Sequence, residues 1–290
     1  MKGHFYRALV LLTKLGGSWI FYLFSRAIAA GYFLFSGKVA EGRRFYGILY
    51  PDRSPLYHRW CVFRQFQNFT TVYFNRLLLK DLDGIAWTSE GLQHLEKVLG
   101  RQGGIILMSH LGNWELAAHL LRKRYDNLKL LLYMGIREKE EIESFQKESL
   151  RGSGVRIIAV DKDGGSPFDL VDGVQFLRAG GLVSLTGDQV WKNEQRTVQV
   201  NFLGHKAALP ETPYIFALLA EVPLFVFFSF RTGKNRYHFF LSDPIPVRAA
   251  SRAQRTEAIR QAAQKYADLT EAALREHPLE WYHFERFLDP

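Results

Sequence analysis

The chain has 290 residues, enough to bury one sizeable core, and its 47% apolar and 23% charged composition is that of a globular protein; 14% aromatic residues, with 23 Phe, is high for a surface wholly in water and hints at a lipid contact. A single cysteine, Cys61, excludes an internal disulfide and a Cys-rich zinc site and points to a reducing compartment. The net charge of +9 is concentrated, with +10 on residues 1–80 and −1 on the rest, a distribution suited to anionic lipid, an acidic partner or nucleic acid.

Residues 5–35 are strongly apolar and aromatic, but Lys14 and Arg26 divide them into charge-free runs, 15–25 and 27–37. Each run is shorter than the roughly 20 residues that cross a bilayer. No small-residue cleavage site follows a compact apolar segment, which argues against a signal peptide. The segment 1–38 is therefore expected to be an interfacial or re-entrant helical membrane anchor, with a tilted span or a soluble core helix as alternatives. Residues 39–290 make up the rest of the molecule.

Residues 39–79 read as helical, broken by Pro51 and Pro55, with Phe63, Phe66, Phe69 and Tyr73 at helical spacing. Residues 87–99 read as an amphipathic helix capped by Thr88 or Ser89. From 104 onward the pattern alternates. Strands are predicted at 104–108, 128–134, 155–160, 181–186, 198–202, 224–231 and 237–241, and helices at 114–122, 138–151, 167–179, 212–219 and 251–275. Interleaved strands and helices argue an α/β sandwich around a largely parallel sheet. No internal repeat or low-complexity segment interrupts it.

The stretch GGIILMSHLGNWE, residues 103–115, runs an apolar strand into His110 and then Glu115. Two groups five residues apart on one helix would lie about 140° apart and never meet, so the histidine is expected to precede the helix. Gly112 lets the backbone turn, Asn113 can cap the helix, and Glu115 falls in its first turn, where the helix dipole favours a carboxylate. This fold would bring the carboxylate back against the imidazole, making the base half of a catalytic triad. Ser109 should point to the opposite face, and no GxSxG elbow occurs, so the attacking hydroxyl is expected to belong to a substrate. HExxH is absent, and neither His119 nor His205 is spaced as a ligand partner for His110, so no metal is expected. A structural hydrogen-bonded His and Glu is the alternative reading of the same residues.

The segment His110-Leu-Gly-Asn-Trp-Glu115 resembles the HX4E (HX4D) signature of the lysophospholipid acyltransferase superfamily, and HLGNWE is similar to its bacterial branch of lipid A late acyltransferases. Asp188-Gln189 resembles that family's Asp-Gln block, residues 201–208 with Pro210 its Phe-Phe-Gly-x-x-Ala-Ala-x-Pro segment, and His277-Pro278, Trp281 and Arg286 its C-terminal element. Arg151 sits where the family carries an arginine followed by glycine. The chain departs from the family at Met134-Gly135, His283, Glu285 and Phe287, positions that bear on the acceptor.

The resemblance implies a glycerol-3-phosphate acyltransferase-like sandwich, in which a central parallel or mixed sheet is flanked by helices. It also implies a mechanism: His110 deprotonates an acceptor hydroxyl, Glu115 orients the imidazole, and the alkoxide attacks an acyl thioester on acyl carrier protein or coenzyme A. No acyl-enzyme and no cofactor are implied, the thioester being a co-substrate. Candidate substrate-binding residues are Asn113, which can also be just the helix cap; Arg151, for phosphate or oxyanion; and Asp188 with Gln189, at a strand's C-terminal end where α/β sites gather. The implied partners are the thioester donor, a lipid or glycolipid acceptor and an anionic membrane surface, at the cytoplasmic face of a bacterial inner membrane. The basic residues share their segment with the apolar anchor and no recognition motif is present, so nucleic acid is not expected.

Overall fold

The computed structural model describes residues 18–78, 84–125, 128–135, 155–160, 167–190, 195–233 and 235–288. Three helices come first: α1 (Ser18–Phe35), α2 (Lys38–Leu49) and α3 (Pro55–Leu78). Pro51 follows the end of α2, and Pro55, whose fixed φ suits a first helical turn, opens α3. α1 lies on α3 through a buried Ser25–Thr70 hydroxyl pair at 2.8 Å and a stacked Tyr32–Phe66 pair. No helix among the described residues is long and apolar enough to cross a membrane.

The α/β body follows, with β1 (Ala86–Glu90), α4 (Leu92–Val98), β2 (Gly104–Met108), α5 (Trp114–Arg124), β3 (Leu130–Gly135), β4 (Arg156–Val160), α6 (Pro167–Arg178) and β5 (Leu182–Thr186). It continues with β6 (Thr197–Phe202), β7 (His205–Pro210), α7 (Thr212–Ala220), β8 (Leu224–Gly233), β9 (Arg236–Leu241) and α8 (Arg255–Glu276). Seven strands form one sheet in the order β1-β9-β8-β2-β5-β3-β4, parallel except for the antiparallel β8·β9 pair. The central strands are apolar on both faces, as a sheet covered on both sides requires. Alternate residues feed two cores. Ile105, Leu107, Val183 and Val226 face the layer that holds α2, α3, α7 and α8, whereas Ile106, Met108, Leu182 and Phe225 face α4 and α5.

Two elements differ from the sequence expectation. Residues 86–90 form an edge strand parallel to β9 instead of the start of a helix, so the helix is confined to Leu92–Val98. The strand pairs with a segment some 150 positions away, and that long-range hydrogen bonding overrides local propensity. Residues 205–210 are the return strand of a separate hairpin, β6·β7, turned by Leu203 and Gly204, both at positive φ. The expected helix 138–151, and residues 1–17 of the expected anchor, lie outside the described residues.

Candidate active site

β2 and β5 run parallel in register, with Met108 opposite Thr186. Continued two residues past both strand ends, that register sets His110 beside Asp188. His110 Nδ1 lies 2.9 Å from Asp188 Oδ1, and the His110 backbone N–H donates to Asp188 Oδ2 at 2.7 Å. After His110 the chain must fold sharply over β8. Gly112 sits at φ +81° with its N–H on the Glu280 carbonyl, and a Cβ there would overlap the Ser229 carbonyl oxygen. Only glycine fits so close an approach at that φ. Asn113 then caps α5, its Oδ1 accepting the Leu116 N–H at 3.3 Å. Ser109 is buried, and its Oγ accepts from the Leu111 N–H rather than facing His110's partner.

Asp188 is 1% exposed and receives a third donor, the Trp281 indole N–H, at 3.1 Å from Oδ2. Burial alone would push its carboxyl up; the charge and hydrogen bond of the His110 ring, the nearby His283 and the His110 backbone N–H outweigh it and bring the carboxyl down to about 2. The carboxylate is ionised and acceptor-only, so the proton between it and the ring belongs to Nδ1. In the neutral imidazole the lone pair is therefore on Nε2. The His110 side chain is 31% exposed, and its Nε2 has no hydrogen-bond partner among the described residues.

The segment 277–283 braces this pair from the other side. The Tyr282 N–H donates to the His110 carbonyl at 2.7 Å, and Leu111 pairs antiparallel with Trp281. The segment is itself held by the N-terminal helices: the Tyr46 hydroxyl donates to Pro278 O, Asn68 Nδ2 to Leu279 O and Gln65 Nε2 to Trp281 O. Phe45 packs on the Trp281 indole at 4.8 Å. His283, stacked on the same indole, meets the His110 ring edge-on with centroids 5.7 Å apart. Burial pushes the His283 imidazole down, against the opposing pull of Asp188.

The sequence pattern places Glu115 against the imidazole. Glu115 is in the first turn of α5 and 2% exposed, but the carboxylate bound to His110 Nδ1 is that of Asp188, 78 residues further on. The physical reason is the parallel β2·β5 register, which aligns two strand ends far apart in sequence. Sequence alone marks Asp188 as a pocket residue rather than the orienting acid, and marks the indole that completes its shell only as part of a C-terminal motif. Gln189, 5% exposed, keeps a buried Oε1 with no partner among the described residues, an unsatisfied acceptor on the residue after Asp188. Arg151 lies outside the described residues. No group of three or more His, Cys, Asp or Glu side chains among the described residues could hold a metal ion.

A buried acid, an imidazole and an open Nε2 can take a proton from an alcohol and return it to a leaving group. No curated protein matches the chain. Residues 75–288 match the family model described as bacterial lipid A biosynthesis acyltransferase, and the chain belongs to that family of acyltransferases.

Proposed function

We propose that the chain is a membrane-associated O-acyltransferase that moves a fatty acyl group from a thioester, carried by acyl carrier protein or coenzyme A, to a hydroxyl of a lipid A precursor or similar glycolipid. Family membership gives the acyl transfer and the lipid A-like acceptor, and the chemistry needs no cofactor. The observation that carries the residue roles is the imidazole held through Nδ1 by a buried carboxylate, with Nε2 open.

In this reading Nε2 takes the acceptor's hydroxyl proton as the oxygen attacks the thioester carbonyl carbon. The tetrahedral oxyanion collapses, the C–S bond breaks, and the imidazolium returns the proton to the departing thiolate. Asp188 fixes the tautomer and stabilises the imidazolium. Glu115, buried at the start of α5, is assigned with His110 to the catalytic centre as a second negative charge favouring that imidazolium. Asn113 holds the turn between them, and the free Gln189 amide is assigned to substrate.

Exposed apolar side chains support the anchor over residues 1–38. Trp19, Leu23, Leu34 and Phe35 on α1 are 64%, 59%, 69% and 88% exposed, and Leu56 and Trp60 on α3 continue the surface. Such a patch beside a strongly basic segment suits the anionic cytoplasmic face of a bacterial inner membrane. Residues 39–290 would then be the acyltransferase domain.

One observation favours an acceptor other than a lipid A precursor: His283, a departure from the family pattern, stands against His110. Purified protein supplied with an acyl-carrier-protein thioester and a panel of glycolipid, aminolipid and lysophospholipid acceptors tests both readings. Transfer to a saccharide hydroxyl, lost by about 10²–10⁴-fold in His110→Ala, is the expected result. Transfer only to a non-saccharide acceptor selects the second reading, and near-normal turnover by His110→Ala, or a fatty ester trapped on the polypeptide, overturns the mechanism.

A further inference from the structure

A cavity of about 350 Å³ opens between the N-terminal helices and the loops at the active-site end of the sheet. Three guanidinium groups line it: Arg26 from α1, Arg64 from α3 and Arg231 from β8, together with Asn68, Asn113 and Tyr282. None of the three arginines pairs with a carboxylate among the described residues. Glu280, the one acid among the described residues of the wall, lies 3.5 Å from His277. Arg64 gives one Nη1 hydrogen bond to Gln67 at 2.8 Å and keeps a buried Nε–H with no partner among the described residues. Arg231 uses Nε on the Gly233 carbonyl, which leaves its two Nη groups.

Three like charges lining one cavity repel one another, and a buried N–H without an acceptor is costly. A single species relieves both: an oxyanion with several acceptor atoms, for which the planar guanidinium fork is the matching donor. We propose that Arg26, Arg64 and Arg231 form a subsite for a phosphate group that seats one of the two substrates next to His110. The walls tie the subsite to the base, since Asn113 is three residues beyond His110 and the Tyr282 N–H is bonded to the His110 carbonyl. The inference rests on the acyl-transfer reading for its choice of ligand, and two sources supply the same chemistry: a phosphorylated glycolipid acceptor, or the phosphopantetheine arm of the thioester donor.

Binding to the whole chain in detergent, measured by calorimetry, tests it with two probes, glucosamine 1-phosphate and 4′-phosphopantetheine, each against its dephosphorylated counterpart. At least one phosphorylated probe is expected to bind tenfold or more tightly than its counterpart, and whichever does so names the source. In a folded Arg64→Gln, Arg231→Gln double variant that discrimination is expected to vanish; should the double variant fail to fold, Arg26→Gln, at an exposed position of α1, is expected to weaken it at least threefold. Equal binding of both phosphorylated probes and their counterparts, or undiminished discrimination in the variants, overturns the subsite. Because no acyl transfer enters the readout, phosphate discrimination without any transfer activity would refute the proposed function and leave the subsite standing.

Discussion

Asp188 is ionised at neutral pH, because the charge and hydrogen bond of the His110 ring, the nearby His283 and the His110 backbone N–H hold its carboxyl at about 2 although it is buried. Asp188→Asn keeps the shape but presents an amide whose N–H₂ disfavours the Nδ1–H tautomer, so kcat is expected to fall by about 10²–10⁴-fold with KM little changed. Loss in Glu115→Gln with none in Asp188→Asn would return the orienting role to Glu115. The same pair has a stability signature. A carboxyl depressed on folding contributes stability that is present above its unfolded value, near 3.8, and is lost as pH falls through about 2. The melting-temperature gap between wild type and Asp188→Asn is therefore expected to narrow between pH 4 and pH 2, and a gap that stays constant would contradict the ionised pair. His110 and its turn are legible in the sequence because HLGNWE is contiguous. The Asp188 partner is not legible there because sequence reading favours near neighbours, whereas parallel pairing joins strand ends 78 residues apart.

At the scale of the element, the site exists because two strand-to-loop turns are glycine-made. Gly112→Ala would drive a methyl group into the Ser229 oxygen at a φ of +81°. Relief requires the His110 loop to lift from β8, breaking the Asn113 N–H to Ser229 O bond of 2.8 Å. The strained backbone conformation alone costs about 1–3 kcal/mol, so the variant is expected to melt several degrees lower and to lose most activity. Gly187, just before Asp188, is closed in by the Tyr266 ring, 2.6 Å from where a Cβ would stand; Tyr266 also donates to Met108 O at the end of β2. Gly187→Ala is accordingly expected to lower activity, with recovery in a Gly187→Ala, Tyr266→Leu double variant, and failure of the second change to restore anything would place the fault elsewhere. β2 is legible as an uninterrupted apolar run, and β5 and β8 as predominantly apolar ones broken by Ser184 and Ser229, the mark of a sheet covered on both faces. β1, with its exposed and polar Ala86-Trp-Thr-Ser-Glu90, carries no such mark, and only its pairing with β9 makes it a strand.

Across the whole molecule, the 277–283 segment is held by α2, through Tyr46, and by α3, through Gln65 and Asn68; α3 also carries the exposed Leu56 and Trp60 and packs on α1 at Ser25–Thr70 and Tyr32–Phe66. That segment in turn carries the Tyr282 N–H on His110 and the Trp281 indole on Asp188. The proposed lipid-facing layer and the proposed catalytic pair are thus connected by hydrogen bonds through one strap, and docking α1 on a membrane would set the distance of the imidazole from lipid head groups. Trp19, Leu34 and Phe35 are each more than 60% exposed, and their removal leaves the buried α1·α3 seam at Ser25 and Thr70 untouched. A side chain of this size gains about 1.5–3 kcal/mol when fully buried, and a tenfold change in partitioning needs about 1.4 kcal/mol. Even partial insertion of three such groups exceeds that. The Trp19→Ser, Leu34→Ser, Phe35→Ser variant is expected to bind phosphatidylglycerol-containing vesicles at least tenfold more weakly in a sedimentation assay while keeping its melting temperature and its turnover of a detergent-solubilised acceptor. Vesicle binding unchanged by the three substitutions would mean that the aromatic surface of α1 meets something other than lipid.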